Sequence, residues 1–108
     1  MHAAAFCGWD GEILAAFEDV GRHNAFDKLI GHMALGSMDF AAGFALLTSR
    51  GSFELVQKAL AVKIPMLVTI SAATELAARL AQDHGLTFIA LARPDSMLCL
   101  SDPFDLFG

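Results

Sequence analysis

Basic residues, cysteines and long apolar runs are scarce in this chain of 108 residues, and each scarcity excludes a class of protein. Seven Lys and Arg stand against twelve Asp and Glu, which gives a formal net charge of −5. Because nucleic-acid binding needs a broad basic surface, we expect no nucleic-acid partner. No apolar run approaches the roughly 20 residues that cross a bilayer, and residues 1–5 have no signal-peptide pattern. The sequence therefore predicts a cytoplasmic protein without a membrane partner.

The two cysteines, Cys7 and Cys99, lie far apart and form no C-x-x-C pair. A disulfide between them is disfavoured in the cytosol. The zinc pattern of nucleoside deaminases needs a Glu two residues after a His and a downstream P-C-x-x-C, but Ala25 follows His23 at that spacing. The chain also lacks the G-x-S-x-G, Walker A and G-x-G-x-x-G sequences. We therefore expect no zinc site and no hydrolase triad.

Apolar residues make up 56% of the chain, above the usual 45–50% or so of soluble domains. The length fits a single domain over residues 1–108. The apolar excess predicts that part of the surface is covered by a second copy of the chain or by a neighbouring domain.

Apolar periodicity and turn residues predict the order β-β-α-β-α-β-α-β-β. Strands are predicted over 2–7, 12–20, 43–48, 66–70, 87–92 and 97–100, and helices from Asn24 to Gly36, over 52–61 and over 73–84. Asn24 is the predicted cap of the first helix, and Asp10-Gly11 is a hairpin turn signal. Successive β-α-β units favour parallel strands with right-handed crossovers. We therefore predict a three-layer α/β/α fold, in which helices cover both faces of a mixed sheet that starts with an antiparallel hairpin.

Three predicted strand-to-helix turns share polar and small residues, over 18–24, 48–52 and 71–74. Ligands of open α/β sheets gather at the carboxyl ends of the strands, where helix N-termini favour anions. Arg22 and Arg50 lie in two of these turns and can bind phosphate through two hydrogen bonds each. Such residues are also ordinary helix caps, so each turn taken alone is better explained by structure, and only the three turns together make an anion site an equal alternative. Whether the first turn reaches the same edge as the others stays open.

Three segments together resemble the formate dehydrogenase accessory proteins of the FdhD/NarQ sulfurtransferase family. They are Glu18-Asp19-Val20-Gly21-Arg22-His23-Asn24-Ala25 with Asp27-Lys28, Ser49-Arg50-Gly51-Ser52-Phe53-Glu54 with Lys58, and Ile64-Pro65 followed by Ser71-Ala72-Ala73-Thr74. The resemblance runs from His2 to about Leu100 and includes His2-Ala3-Ala4-Ala5 before the first motif. It identifies the chain as similar to the carboxy-terminal domain of that family.

The resemblance implies a function that the spacing alone does not. Proteins of this family take sulfur from a cysteine desulfurase and pass it to the bis-molybdopterin guanine dinucleotide cofactor of formate dehydrogenase. The resemblance further implies a fold similar to cytidine deaminases without their zinc, a homodimer, and a site in which GDP mimics the cofactor. The implied cofactor-binding residues are Arg22, His23, Asn24, Lys28, Arg50, Ser52, Ser71 and Thr74. Arg22, Arg50 and Lys28 would neutralise phosphates, and His23 and Asn24 would order the first turn or reach the base.

Some family features are missing or altered in this chain. The family's C-x-x-C loop, which bears the persulfide, precedes the matched segment, and neither Cys7 nor Cys99 takes its place. We therefore expect this chain to bind the cofactor or to act as a scaffold, with no sulfur transfer by this chain alone. The alternative is a dimerisation or docking module without a ligand of its own. The family pattern S-G-R-x-S stands here as Thr48-Ser49-Arg50-Gly51-Ser52, in which the Gly has moved past the Arg, and S-A-P-T stands as Ser71-Ala72-Ala73-Thr74. A second Arg is missing near Arg93.

Overall fold

The computed structural model describes residues 1–70, 73–93 and 96–101, with side chains up to residue 90. Within these residues, six strands and three helices follow one another in the predicted order. The strands are β1 His2–Gly8, β2 Ile13–Asp19, β3 Gly43–Leu47, β4 Met66–Thr69, β5 Thr87–Arg93 and β6 Ser96–Ser101. The helices are α1 Arg22–Leu35, α2 Phe53–Ala61 and α3 Glu75–His84, with a 3-10 turn at Phe40–Ala42.

Most helix ends lie at the polar and glycine residues that predict them, but α1 begins at Arg22, before the predicted start at Asn24. Ser52 caps α2, and Gly85, at φ 75°, ends α3 in the left-handed conformation that suits glycine. Gly21 occupies the N-cap position of α1, where no side chain provides a cap hydrogen bond. The predicted capping role of Asn24 is therefore wrong. The carboxylate of Asp19 accepts the Gly21 N–H at 3.0 Å and turns the chain into the helix before Asn24 is reached.

The strands form one mixed sheet in the order β2-β1-β3-β4-β5-β6. β3, β4 and β5 run parallel, whereas β1 is antiparallel to both β2 and β3, and β6 is antiparallel to β5. The predicted parallel β-α-β units and the antiparallel hairpin at the start are confirmed. The four residues of β4 are all buried, as expected of a strand at the centre of a sheet.

All three helices pack on the same face of the sheet. Phe26 of α1, Leu55 of α2 and Ala77 of α3 belong to one buried cluster with Phe6 and Phe88 of the strands. The connections from β2, β3 and β4 step in the same direction along the sheet, so crossovers of one hand place their helices on one face. The α/β class with a mixed sheet is confirmed. The described helices, however, form one layer where two were predicted.

The opposite face of the sheet carries a second, smaller apolar cluster. Met66, Val68 and Ile89 are buried there, and the partly buried Phe44 and Leu46 pack against them. These positions alternate along the strands with those beneath the helices, as the two-residue period of a strand requires. Among the described residues, no helix combines the length and apolarity needed to cross a membrane.

Candidate anion-binding rim

The turns that follow β2, β3 and β4 lie at one edge of the sheet, here called the rim. Residues paired across neighbouring strands are Asp19 with His2, Leu47 with Ala4, and Thr69 with Leu47. Because β1 is antiparallel to both of its neighbours, β2 ends at the same edge as β3 and β4. The first turn therefore does reach the rim, a point that the sequence left open. The ends of β2 and β3 flank β1 and so lie about 10 Å apart, or two strand spacings.

Asp19 is the centre of the first turn. One carboxylate oxygen, Oδ1, accepts the Gly21 N–H at 3.0 Å and lies 3.5 Å from Asn24 Nδ2. The other, Oδ2, lies 2.7 Å from the Lys28 ammonium. Lys28 also donates to the Glu18 carbonyl oxygen at 3.2 Å. Asn24 and Lys28, both predicted to contact a cofactor, are thus brought to the rim by their contacts with Asp19.

The contacts around Asp19 favour its ionised form. The pKa of Asp19 is lowered to about 2, first by the hydrogen bond from the Gly21 backbone and then by the hydrogen bond from Lys28. The carboxylate is therefore charged at neutral pH and offsets the positive charge of Lys28.

Arg22 begins α1 and carries a donor without an acceptor. Its Nε is shielded from solvent and has no hydrogen-bond partner within the described part of the chain. A buried donor left unpaired costs about 1–3 kcal/mol, and a bound anion at the rim can supply the missing acceptor. His23, the next residue of the helix, is partly buried beside it.

The second and third turns are joined to each other. Gly51 and Ala73 form a parallel bridge, and the Thr74 N–H donates to the Gly51 carbonyl oxygen at 3.1 Å. A Cβ at position 51 would lie 2.3 Å from Cζ of the buried Phe88, so a side chain does not fit there without movement of the ring. Gly51, which follows Arg50 where the family pattern has its glycine before the Arg, therefore permits the close approach of these two turns. Arg50 precedes it and is exposed at the rim.

The predicted hydroxyl ligands are helix caps. Ser52 Oγ accepts the Leu55 N–H at 3.4 Å, and Thr74 Oγ1 accepts the Ala77 N–H at 3.1 Å. Each hydroxyl keeps its own hydrogen, which it can donate to an anion. Ser71, the remaining predicted hydroxyl ligand, lies outside the described residues.

An ion pair connects the helices that follow the first and second turns. Lys58 Nζ of α2 lies 2.8 Å from Asp27 Oδ1 of α1. Both residues belong to the motif segments, yet they bind each other across the helical layer. This contact ties the two helices together and leaves Arg22 and Arg50 as the cations of the rim.

Acidic side chains distinguish the three helix starts. Glu54 lies in the first turn of α2 and Glu75 in the first turn of α3, and both are exposed. Among the helices described, α1 alone has no acidic residue in its first turn. At the start of α1 the nearest carboxylate is that of Asp19, just before the helix, and Lys28 offsets its charge at 2.7 Å. In the ranges described, no group of three or more His, Cys, Asp or Glu side chains is placed to hold a metal ion.

Comparison with known proteins agrees with this arrangement of motifs and fold. A model of the FdhD/NarQ family matches residues 1–106. The chain belongs to the FdhD/NarQ family. The resemblance inferred from the three motif segments is thereby confirmed.

Similar proteins are named as sulfur carrier proteins or as a formate dehydrogenase accessory protein. The chain is 47% identical over 108 residues to the sulfur carrier protein FdhD of Variovorax paradoxus, covering 100% of this chain and 39% of that protein. It is 53% identical over 92 residues to the sulfur carrier protein FdhD of Chromobacterium violaceum, covering 85% of this chain and 34% of that protein. The chain thus spans well under half the length of these curated relatives.

A solved structure supports the fold. The crystal structure of a proposed formate dehydrogenase accessory protein from Desulfotalea psychrophila matches with a TM-score of 0.85 and 29% identity. The match covers 94% of this chain and 45% of that one.

Sequence reasoning missed Asp19 and Asp27 as partners of the two motif lysines. Asp19 could have been found, because an Asp two residues before a Gly is typical of a turn in which the carboxylate accepts a backbone N–H. The Asp27–Lys58 pair had no local signal, since the two residues meet only when α1 and α2 pack side by side.

Proposed function

We propose that this chain is the cofactor-binding part of a formate dehydrogenase accessory protein, and that the rim binds the phosphates of bis-molybdopterin guanine dinucleotide. Family membership supports the accessory role. The observation that carries the binding proposal is the unpaired Nε of Arg22, which lies at the same sheet edge as Arg50.

The proposed ligand suits the chemistry of the rim. A dinucleotide carries phosphate groups, and guanidinium groups bind phosphate through paired hydrogen bonds. Arg22 and Arg50 start from turns about 10 Å apart at their base, a span that two long side chains can close around one diphosphate. Ser52 and Thr74 keep hydroxyl hydrogens to donate, and Ser71 completes the proposed set. GDP is the probe, since it shares the guanine base and the diphosphate.

In this proposal Lys28 has a different part from the one predicted from the sequence, and Asn24 has one of the two roles predicted for it. Lys28 forms an ion pair with Asp19 at 2.7 Å, and Asn24 lies beside the same carboxylate. We propose that both residues order the turn that presents Arg22. We also propose that His23, the neighbour of Arg22, is available to contact the guanine base.

The sulfur chemistry is proposed to need groups beyond the described side chains. Cys7 is a buried free thiol, and burial raises its pKa, so little of it is thiolate at neutral pH. A buried thiol with a raised pKa is a poor acceptor of sulfur from a cysteine desulfurase. We propose that this chain holds the cofactor while a cysteine loop on another segment or chain delivers the sulfur.

Calorimetric titration with GDP tests the proposal, with ADP as the control ligand. We expect Arg50→Ala to weaken GDP binding at least tenfold, or about 1.4 kcal/mol, because a cation in direct contact with phosphate is removed. Lys63→Gln is the matched control, since exposed Lys63 lies between α2 and β4 at the edge of the sheet opposite the rim. Equal losses in the two variants would point to a general charge effect and against a site at the rim. No binding of GDP by the wild-type chain would contradict the proposal outright.

Exposed apolar side chains favour a docking module as the second candidate. Trp9, Ile13 and Leu14 are 53%, 62% and 46% exposed, and they cluster around the β1–β2 hairpin, away from the rim. We propose a second copy of the chain as the occupant, in keeping with the predicted homodimer. Sedimentation with and without GDP separates the candidates, because a tight dimer that ignores the nucleotide supports docking without a ligand.

A further inference from the structure

Asp19 contacts three polar groups at the first turn of the rim, which are the Gly21 N–H, the Asn24 amide and the Lys28 ammonium. Its side chain is 18% exposed, and both of its oxygens have partners. The Gly21 N–H that it accepts immediately precedes Arg22, so this bond fixes the direction in which α1 starts. The first hydrogen bond within the helix, from Ala25 N–H to Gly21 O at 3.0 Å, follows from that start.

Lys28 holds the carboxylate in place from within α1. It lies six residues after Arg22, about 9 Å further along the helix axis. From there its side chain reaches back to Asp19 and to the Glu18 carbonyl oxygen, at 2.7 Å and 3.2 Å. Two contacts from one ammonium thus fasten the end of β2 to the body of α1.

We propose that Asp19 is the positioning residue of the rim, which sets the β2–α1 turn so that the Arg22 guanidinium faces the bound phosphate. This inference rests on the proposed function, because it assigns a role within the same site. Asp19 itself carries a negative charge and does not contact the anion. It acts through the backbone of Gly21 and, through it, on Arg22.

The alternative is that Lys28 contacts phosphate directly and that Asp19 is merely its counter-ion in the empty site. The two arrangements differ in how Asp19 and Arg22 are coupled. A positioning residue loses its effect once the group that it positions is absent, whereas a residue that acts independently keeps its effect.

The experiment is calorimetric titration with GDP of the wild-type chain and of the variants Asp19→Ala, Asp19→Asn, Arg22→Gln and Asp19→Ala/Arg22→Gln. We expect Asp19→Ala to weaken binding at least fivefold. Asp19→Asn should stay within about twofold of the wild type, because the amide oxygen still accepts the Gly21 N–H. In the Arg22→Gln background, Asp19→Ala should cost less than twofold further. Thermal unfolding of each variant checks that the chain remains folded.

Two results for Asp19→Ala, alone or in the double variant, overturn the inference while the proposed function stands. One is Asp19→Ala binding within twofold of the wild type. The other is independent losses, in which the double variant is weakened by the product of the two single effects. A wild-type chain that binds no GDP rejects the proposed function itself, and the inference is rejected with it. A loss in Asp19→Asn as large as that in Asp19→Ala would also contradict a role through the Gly21 N–H.

Discussion

The start of α1 differs from the starts of α2 and α3, although all three helices begin at the same edge of the sheet. Ser52 and Thr74 cap α2 and α3 through their hydroxyls, and each helix has a Glu in its first turn. α1 has neither feature and begins instead with Arg22 and His23. Helix starts normally gain stability from caps and acidic residues, and at α1 the carboxylate of Asp19, outside the helix, accepts the N–H of Gly21. The difference is in keeping with the anion site proposed at the start of α1.

The helix starts also differ in what holds them in place. The second and third turns are fastened to each other by the Gly51–Ala73 bridge and by the contact of Gly51 with Phe88. The first turn is held by the side chains of Asp19 and Lys28. Backbone contacts and packing thus fix one half of the rim, and side-chain hydrogen bonds and an ion pair fix the other.

The largest expected effect comes from breaking the packed half of the rim. Gly51→Ala should lower the free energy of unfolding by about 1–3 kcal/mol, since the new Cβ would lie 2.3 Å from the Phe88 ring. Gly31→Ala is the matched control, because Gly31 lies in α1 with no atom within 4 Å of its added Cβ. That change should stabilise the protein by about 0.5–1 kcal/mol. Urea unfolding of both variants checks the pair, and equal effects would contradict the close approach at Gly51.

A smaller effect is expected from the caps. Thr74→Ala should lower the free energy of unfolding by about 1 kcal/mol, because the Ala77 N–H loses its acceptor. Asn24→Ala should change it by less than about 0.5 kcal/mol, since Asn24 caps no helix and only approaches Asp19 at 3.5 Å. Thermal unfolding measures both variants. If the loss in Asn24→Ala matched that in Thr74→Ala, α1 would be capped like its neighbours.

The order of the strands and helices could be predicted from the sequence because turn residues, helix caps and apolar periodicity are local signals. Asp10-Gly11 formed the predicted hairpin turn, and Ser52 and Gly85 stand at the predicted helix ends. The single helical layer could not be read in this way. It depends on strand order, and strand order follows from pairings such as Ala4 with Leu47 that join distant parts of the chain.

The site was predictable in part, for the same physical reason. The motif residues themselves pointed to the three turns, and the family model matches residues 1–106, which contain them. The chemistry of the individual residues was harder to predict, because Lys28 and Lys58 look like phosphate ligands until their partners are known. In the folded chain, Lys28 forms an ion pair with Asp19 and Lys58 forms one with Asp27. Burial of Arg22 Nε, the feature that best supports an anion site, has no sequence signal.

The most direct test of the rim as a nucleotide site is a titration with GDP followed by backbone amide NMR. A site at the start of α1 predicts the largest shifts at residues 21–24 and 49–51, with residues 9–13 of the hairpin unchanged. Shifts confined to the hairpin, or no shifts at saturating GDP, would contradict binding at the rim and would leave docking through the hairpin surface as the better explanation.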